Sequence, residues 1–375
     1  MKWELKSLDE IGFIGRGKSR HRPRNAEHLY GGEYPFVQTG DIKAANFRIN
    51  EYSQTYNEAG LAQSKLWKEG TLCITIAANI ADTAILGIDA CFPDSVIGFV
   101  PYEDKSDVRF VKYFFDIFQA RMKSIAVGAA QDNLSLEKLL TFKIPTPPLP
   151  TQRKIASILS AYDDLIENNL KRIKLLEKKA SLMYKLMQKE LSDVEKINLY
   201  DFANIQMGFA FKAEAFNVEG EGIPIIRIRD IPAQMTKSHT TQEVDNQYWV
   251  EKGDLLIGMD GEFHMNEWLG QRGYLVQRVC RLRAKNELYQ SYLWQALKEP
   301  IHYYETTISG ATVAHLGKKH LEEIFIASPK DSMKNELEEM NVMRKLKIVL
   351  AEQNTKLREA RDILLPKLMN GPIEV

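Results

Sequence analysis

Apolar residues recur along this 375-residue chain with two different periods, which separate short strand-like runs from two long helical stretches. The runs at 71–76 and 254–257 are almost continuously apolar and follow a glycine, which is typical of buried β-strands. After residue 150, and again after residue 330, apolar residues return at steps of three and four, as on a helix with one buried stripe. The pattern predicts two mixed α/β segments, each followed by a long helix.

The two helical stretches carry matching heptad seams. Prolines precede the first stretch, and Thr151 is a suitable N-cap for a helix about 50 Å long at 1.5 Å per residue. Asn169 interrupts the first seam and Gln353 the second, and polar seam residues of this kind set helix register. The seam positions are Ile155, Leu159, Tyr162, Ile166, Asn169, Ile173 and Leu176 in the first helix, and Leu346, Leu350, Gln353, Leu357, Ala360 and Leu364 in the second.

Two such seams in one chain favour an intramolecular coiled coil, in which each helix buries the stripe of the other. The alternative is that each helix packs its apolar stripe on its own domain, and the pattern alone leaves that alternative open. Pro366 is expected to kink or end the second helix.

Three segments of the first half recur in the second half in the same order. Residues 34–42 (YPFVQTGDI) resemble 223–231 (IPIIRIRDI), residues 68–74 resemble 251–257, and residues 128–147 resemble 310–329. Three ordered matches indicate an internal duplication. The predicted fold is α+β, with a pseudo-twofold repeat of two mixed α/β domains separated by two long paired helices. The predicted boundaries are 1–150 and 192–330 for the domains, 151–191 for the central helix and 331–375 for the C-terminal helix that pairs with it.

Charge at first argues against a nucleic-acid partner, because 50 Lys and Arg balance 50 Asp and Glu, and nucleic-acid-binding proteins are usually basic. The charges are unevenly placed, however: residues 151–189 are net basic and residues 190–330 net acidic. Near the N-terminus lies an alternating run of five bases with no acid between them: Arg16, Lys18, Arg20, Arg22 and Arg24. In an extended strand these side chains share one side and suit contact with phosphates, although a solvated loop is the alternative.

Residues 12–19 (GFIGRGKS) match the nucleotide-binding pattern G-x-x-x-x-G-K-S. That chemistry needs a hydrophobic strand before the loop and a helix directly after it. Here the preceding segment is polar and Pro23 would disrupt the helix, so an NTPase is disfavoured. The chain contains no HExxH or GxSxG motif, and His315 and His320 are poorly spaced for one helical face. We therefore predict no catalytic residue and no metal site.

The three cysteines, Cys73, Cys91 and Cys280, form no CxxC pair and are predicted to be small buried hydrophobic residues. The N-terminal segment contains acids where a signal peptide needs apolar residues, and the apolar run at 72–88 contains Asn79 and Asp82. We therefore expect a reduced, cytoplasmic protein with no membrane span.

Several segments, in order, carry a family resemblance: 144–159 (IPTPPLPTQRKIASIL), 168–187 (NNLKRIKLLEKKASLMYKLM) and 352–371 (EQNTKLREARDILLPKLMNG). The GDI and RDI motifs and the loops GAAQDNLS and SGATVAHLG belong to the same set. With these features the chain resembles the specificity subunit of a type I restriction–modification system over essentially its whole length. It departs from the pattern before the second helix, where PKDSMKNEL stands in place of PPLPTQRKI.

The resemblance implies two target-recognition domains separated by two long antiparallel helices that form an intramolecular coiled coil. It also implies a non-catalytic subunit that reads a split sequence in double-stranded DNA. Each domain would recognise one half-site, and the helical spacer would set the gap. The implied partners are two N6-adenine methyltransferase subunits and the restriction endonuclease/translocase subunits, which would hold S-adenosylmethionine and ATP, so no cofactor is expected on this chain. Because the two domains share little beyond framework residues, the target should be asymmetric.

Loops beside the repeated motifs are predicted to contact DNA, because amides and Arg are natural readers of adenine and guanine edges. For each residue a turn or capping role is the alternative. The candidates are Gln38, Thr39, Asp41, Asn79, Gln131 and Asn133 in the first domain and Arg227, Arg229, Asp230, Asp260 and His264 in the second.

Two other functions compete with this interpretation. The first is a stand-alone bipartite DNA-binding regulator without methyltransferase partners. The second, less favoured, is an NTPase that uses residues 12–19.

Overall fold

The computed structural model describes residues 3–76, 81–125, 135–191, 193–308 and 314–370, apart from the side chains of residues 120–125. The chain forms two compact units. Unit 1 comprises residues 1–168 and 356–375, and unit 2 comprises residues 169–355. Each unit therefore contains one α/β region together with a segment of each long helix.

Unit 1 is built on three small sheets. Its strands are β1 (Glu4–Lys6), β2 (Gly12–Arg16), β3 (Tyr30–Phe36), β4 (Arg48–Ile49), β5 (Gln54–Tyr56), β6 (Leu66–Trp67), β7 (Leu72–Thr75), β8 (Thr83–Leu86), β9 (Ala90–Cys91), β10 (Val96–Pro101) and β11 (Ile144–Thr146). Its helices are α1 (Leu8–Ile11), α2 (Thr39–Ala44), α3 (Glu58–Ala62), α4 (Val108–Ile125), α5 (Leu136–Thr141) and the start of α6 (Leu149–Gln188). The sheet orders are β2-β10-β7-β8-β4, β5-β3-β9-β6 and β1-β11.

Unit 2 has a closely similar plan. Its strands are β12 (Lys196–Asn198), β13 (Ala203–Met207), β14 (Phe216–Asn217), β15 (Ile223–Ile226), β16 (His239–Thr240), β17 (Trp249–Val250), β18 (Leu255–Gly258), β19 (Met265–Glu267), β20 (Gly273–Leu275), β21 (Val279–Ala284) and β22 (Phe325–Ala327). Its helices are α7 (Leu199–Phe202), α8 (Asp230–Ala233), α9 (Gln290–Thr307), α10 (Lys318–Glu322) and most of α11 (Lys334–Met369). The sheet orders are β13-β21-β18-β19, β14-β16-β15-β20-β17 and β12-β22.

The topology confirms the duplication that the sequence predicted. The order β2-β10-β7-β8 in unit 1 corresponds to β13-β21-β18-β19 in unit 2, and the neighbouring strands are antiparallel in both. The repeated segments at 34–42 and 223–231 form β3 with α2 and β15 with α8. In the same way, α5 with β11 corresponds to α10 with β22, and β11 and β22 pair with the first strand of their unit.

The long helices belong to the cores of both units. In unit 1, Phe99 and Phe110 of the α/β region pack with Ile155 and Leu159 of α6 and with Leu368 of α11. In unit 2 the central cluster likewise includes Met187 of α6 and Met340 of α11 beside the α9 residues. Burying one such side chain contributes about 1.5–3 kcal/mol, so each helix segment is fixed to its unit mainly by apolar packing.

One helix begins earlier than predicted, and the other continues for three residues past its proline. Helix α6 begins at Leu149 rather than after Thr151, because Pro150 lies in the first turn, where the missing N–H would be unpaired in any case. Pro366 does not end the second helix, which continues to Met369. Leu365 and Leu368, on either side of that proline, are buried in the core of unit 1, and their burial offsets the lost hydrogen bond.

Within each unit the two helix segments pair antiparallel, as predicted. In unit 2, Asn169 Nδ2 donates to Asn354 Oδ1 at 2.9 Å, and Lys347 Nζ lies 3.0 Å from Glu177 Oε1. Higher residue numbers on α6 therefore lie opposite lower residue numbers on α11, so the two helices run antiparallel. In unit 1, Arg361 forms an ion pair with Asp163.

On α11, two of the predicted seam residues are exposed rather than buried. Leu350 is buried as predicted, but Leu346 is 37% exposed and Gln353 is also exposed. Lys347 and Asn354 are buried in their place. The predicted positions Leu357, Ala360 and Leu364 are half-buried, whereas on α6 Ile155, Leu159, Ile166, Asn169 and Ile173 are buried and Tyr162 and Leu176 half-buried. The prediction was wrong at Leu346, which it selected as apolar, whereas the buried neighbour Lys347 has a partner on α6. Gln353 is exposed, but its Oε1 still accepts a hydrogen bond of 3.5 Å from Asn169 Nδ2, the polar seam residue of α6.

Within the described ranges, no helix is long and apolar enough to cross a membrane. The apolar run at 72–88 contains strands β7 and β8. The three cysteines are buried and free, as predicted.

Candidate nucleic-acid interface

The run of five bases from Arg16 to Arg24, called here the basic strip, continues the direction of strand β2. Alternate residues point inward: Gly17 and Ser19 are buried, whereas Arg16, Lys18 and Arg20 are exposed. This is the one-sided arrangement that the alternation predicted. The bases therefore form a continuous positive surface over the first part of the strip.

The backbone of the strip is held against the segment between β9 and β10. Gly17 N donates to Val96 O at 2.9 Å, and Lys18 N donates to Phe92 O at 3.1 Å. A Cβ at Gly17 would lie 2.3 Å from Pro93 O, so the close approach requires glycine. The glycines of the GFIGRGKS motif thus serve strand packing, and no helix starts at Lys18 or Ser19, which argues against nucleotide binding there.

The C-terminal end of the strip is partly neutralised by Asp94. Arg24 Nη2 lies 2.6 Å from Asp94 Oδ1, and Arg22 lies 3.7 Å from the other carboxylate oxygen. The sequence shows no acid inside the run, but the fold brings one from another segment. Among the described residues, Lys18 and Arg20 form no ion pair, which leaves them available for a phosphate.

A cation–π pair adjoins the strip and was missed by the sequence analysis. Lys65 Nζ lies 3.6 Å from the centroid of the Trp67 ring and 4.8 Å from that of Phe13, whose side chain is exposed. Burial and repulsion from Lys18 lower the pKa of Lys65, so Lys18 and Lys65 share one surface. The only sequence signal was the spacing of Lys65 and Trp67, which puts both on one face of an extended chain.

A cavity of about 370 Å³ in unit 1 contains three of the predicted contact residues, Arg24, Gln38 and Thr39. Its wall includes the aromatic rings of Tyr30 and Phe36. Within it, Gln38 Nε2 donates to Gln54 Oε1 at 2.7 Å, which orients the Gln38 amide. The cavity thus combines a cation, oriented amides and aromatic faces, a set that suits the edge and face of a base.

Two predicted contact residues have capping roles instead. Asp41 Oδ2 accepts a hydrogen bond from Gln38 N at 2.7 Å, and Asp230 Oδ2 accepts one from Arg227 N at 2.9 Å. These carboxylates hold equivalent turns at the starts of α2 and α8, and Asp230 is buried. The turn role that the sequence left as an alternative is therefore the role the structure gives them.

The turn that follows β15 presents two guanidinium groups. Arg227 packs over Phe216, with its guanidinium carbon 4.7 Å from the ring centroid, while Arg229 is exposed. Burial, and then repulsion from Arg229, lower the pKa of Arg227. At the corresponding turn after β3, unit 1 presents Gln38 and Thr39, so the same backbone feature carries different chemistry in the two units.

Asp260 and His264, also predicted, contact polar side chains of their own unit. Asp260 Oδ1 lies 2.6 Å from His315 Nδ1, and Asp260 Oδ2 lies 3.3 Å from Arg278 Nε. His264 Nε2 lies 3.2 Å from Glu262 Oε2. The structure therefore groups Asp260 with Arg278 and His315, neither of which was a predicted contact residue.

Other bases near Arg278 have structural roles. Arg283 pairs with Asp254 at 2.5 Å, and Arg281 is buried and donates to the carbonyl oxygen of Trp249. The predicted residues Asn79, Gln131 and Asn133 lie outside the described residues. Within the part of the chain that the structure describes, no group of three or more His, Cys, Asp or Glu could hold a metal ion.

Comparison with models of protein families shows to which family this chain belongs. The model of the type I restriction modification DNA specificity domain matches residues 1–178 and again residues 191–337. The chain belongs to this family. The two matches begin in corresponding parts of the two α/β regions, so each unit contains one specificity domain.

Curated relatives of these specificity domains carry the same description. Over 165 residues the chain is 32% identical to the type I restriction enzyme EcoBI specificity subunit of Escherichia coli, covering 44% of this chain and 34% of that subunit. It is 22% identical to the MjaIX specificity subunit of Methanocaldococcus jannaschii, with 100% of this chain and 94% of that subunit covered. The match to EcoBI thus spans about a third of that relative, and the match to MjaIX spans nearly all of it.

The fold of two specificity domains also has a solved counterpart. The S subunit of a type I restriction–modification system from M. genitalium superimposes with a TM-score of 0.55 at 17% identity, covering 98% of this chain and 96% of that one. This likeness shows that the duplicated α/β architecture with long helices is that of a known S subunit.

Proposed function

We propose that this chain is the non-catalytic DNA sequence-specificity subunit of a type I restriction–modification complex and reads a bipartite, asymmetric target. The observation that carries the asymmetry is the turn shared by both units, which presents Gln38 and Thr39 in unit 1 but Arg227 and Arg229 in unit 2. Amides pair best with adenine, and guanidinium groups with guanine. Equivalent turns with different chemistry support two different half-sites.

In unit 1 the contacts divide into two kinds. Arg16, Lys18 and Arg20 of the basic strip contact phosphates and set the position of the domain on the duplex. Gln38, with the cavity beside it, reads base edges in the groove. In unit 2 the exposed Arg229 is the first candidate for a base contact, while Arg227, stacked on Phe216, supports it.

The long helices serve as the spacer of the target. Helix α6 has 40 residues, which corresponds to about 60 Å at 1.5 Å per residue. One turn of DNA is about 34 Å, so a spacer of this size is long enough to separate half-sites by a turn or more. Lengthening the first helix by about one turn should change the gap of the target and leave both half-sites unchanged. A change in half-sites with the same gap would contradict the spacer role.

The partners in this proposal are two N6-adenine methyltransferase subunits and the endonuclease/translocase subunits. These would contribute S-adenosylmethionine and ATP, and the complex would act on chromosomal DNA in the cytoplasm. Large aliphatic side chains on both long helices of unit 2 are solvent-exposed, a feature of contact surfaces. They are Leu175, Leu182 and Leu186 on α6 and Val342, Leu346 and Val349 on α11.

The test is to express the chain with a co-encoded adenine methyltransferase and to sequence the methylated sites. We expect a stable complex and one bipartite, asymmetric methylated sequence. Gln38→Ala should relax one half-site and Arg229→Ala the other, whereas Lys68→Ala, which removes an exposed base paired with Asp89, should change neither. If the chain binds DNA but forms no complex with the methyltransferase, it is a stand-alone regulator instead.

A further inference from the structure

Three polar residues of α11 lie seven residues apart and face α6: Lys347, Asn354 and Arg361. Lys347 and Asn354 are almost inaccessible, and the Arg361 side chain is 18% exposed. Because seven residues are two helical turns, all three lie on the face that packs against α6. Each has a polar partner on α6, so the interface contains polar layers at heptad spacing.

The first layer, in unit 2, joins both long helices to the α/β region. Lys347 Nζ lies 3.0 Å from Glu177 Oε1 on α6 and 2.8 Å from Glu267 Oε2 on β19. Glu267 is itself buried and lies 2.5 Å from Arg344 Nε. Lys347 therefore contacts both carboxylates only when α11 lies at this height along α6.

The layer in unit 1 has the same design with different residues. Arg361 pairs with Asp163, whose side chain is 0% exposed. Asp163 also accepts a hydrogen bond of 2.5 Å from the hydroxyl of Tyr113 on α4, and burial together with that carboxylate raises the pKa of Tyr113. Again a helix–helix ion pair is tied to the α/β region of its own unit.

The apolar seam alone does not distinguish this register from one displaced by a heptad. Leu350 now packs with Ile173, and after a slip of seven residues it would meet Ile166 or Ala180, which are also apolar. The middle polar layer discriminates in part, because the same slip would bring Asn354 opposite Tyr162, which carries a hydroxyl group, or Leu176, which is apolar.

The charged layers do discriminate. The same slip would place Lys347 opposite Leu170 or Tyr184, and Arg361 opposite Ala156 or Leu170. A buried charge without its partner is strongly disfavoured.

We propose that Lys347 with Glu177 and Glu267, and Arg361 with Asp163 and Tyr113, set the register of the helix pair. On the proposed function, they are then the residues that determine the gap of the DNA target. Their role is positioning, since none of them needs to contact DNA.

The first experiment measures register directly. Leu182→Cys and Val342→Cys place spin labels on exposed positions of α6 and α11, while the three native cysteines are buried. The register variant combines Lys347→Met, Arg361→Met and Asp163→Asn. Its matched control removes two positive charges and one negative charge at exposed positions of the same helices: Lys345→Met, Lys356→Met and Asp164→Asn.

Electron paramagnetic resonance should give one distance in the parent and in the control. The register variant should show a second population, from an axial displacement of about 10.5 Å for seven residues. A single distance equal to that of the control, in a variant that is helical by circular dichroism, would overturn the inference. If the triple variant does not fold, Lys347→Met and Arg361→Met are measured singly, and unchanged distributions in both would overturn it equally.

The second experiment uses the assembled complex and the methylated sequence. The control should retain the parental gap, and the register variant should gain sites whose gap differs by about three base pairs, at 3.4 Å per base pair. If the parent methylates no bipartite sequence, the proposed function fails while the spin-label result still decides the register. If the variant shows two distances but only the parental gap, the link from register to gap is wrong.

Discussion

Removing the unpaired bases of the basic strip should weaken the salt dependence of DNA binding by a calculable amount. The variant is Arg16→Ala, Lys18→Ala and Arg20→Ala. Each phosphate that a protein neutralises contributes about 0.9 to the slope of log K against log salt concentration. Lys18 and Arg20 have no ion-pair partner among the described residues, and Arg16 donates only to the backbone oxygen of Asp94. The slope of the variant should therefore be shallower than the parental slope by about 2.7. Between 50 and 200 mM salt, the factor by which the variant loses affinity should be about 40-fold smaller than the factor for the parent.

The control uses the other end of the same strip. Arg22→Ala with Arg24→Ala removes two bases that share Asp94, so their loss should change the slope by much less per residue. Fluorescence anisotropy on the assembled complex, with target and non-target duplexes across that salt range, measures the slopes. The reasoning is refuted if the triple variant keeps the parental slope, or if the paired bases contribute as much as the unpaired ones.

Three further predictions concern stability and reactivity. Hydrogen bonds from Ser7 hold the pKa of Glu10 at about 2, below its ordinary value of 4.5. The stabilisation is present above pH 4.5 and is lost as pH falls towards 2, so acid-unfolding curves of the parent and Glu10→Gln should differ near neutrality and converge in acid. Burial raises the thiol pKa of Cys73, Cys91 and Cys280, that of Cys280 to about 12. A thiol reagent should therefore label none of the three cysteines before the protein unfolds. Gly17→Ala should destabilise by about 1–3 kcal/mol in thermal unfolding, because its Cβ meets a carbonyl oxygen at 2.3 Å, whereas Gly40→Ala, with open space around it, should not.

Features that depend on neighbouring residues along the chain could be predicted well. The duplication, the two long helices and the alternation in the basic strip all follow from local periodicity, and the structure has each of them. The N-terminal limit of α6 was missed by three residues, since Pro150 fits the first helical turn as readily as a position before it.

Features that depend on partners distant in the sequence could not be predicted. Asp94 pairs with Arg24 although the two are 70 residues apart in the sequence. Counting the charges near the strip in the sequence therefore does not include this acid. Asp41 and Asp230 could be read as base contacts or as caps, and only the backbone geometry of their turns decides for caps. Lys65 gains its place beside the strip through Trp67 and Phe13, which belong to separate strands.

The sequence by itself determined the repeated α/β plan, the paired helices and the exposed side of the strip, because hydrophobic period and backbone alternation are properties of consecutive residues. Only the tertiary structure decided which face of α11 is buried. A hydrophobic seam selects Leu346 rather than its neighbour, but Lys347, Asn354 and Arg361 can face α6 because Glu177, Asn169 and Asp163 lie opposite them. A polar group is buried at low cost only where its partner lies, and that partner is set by the fold.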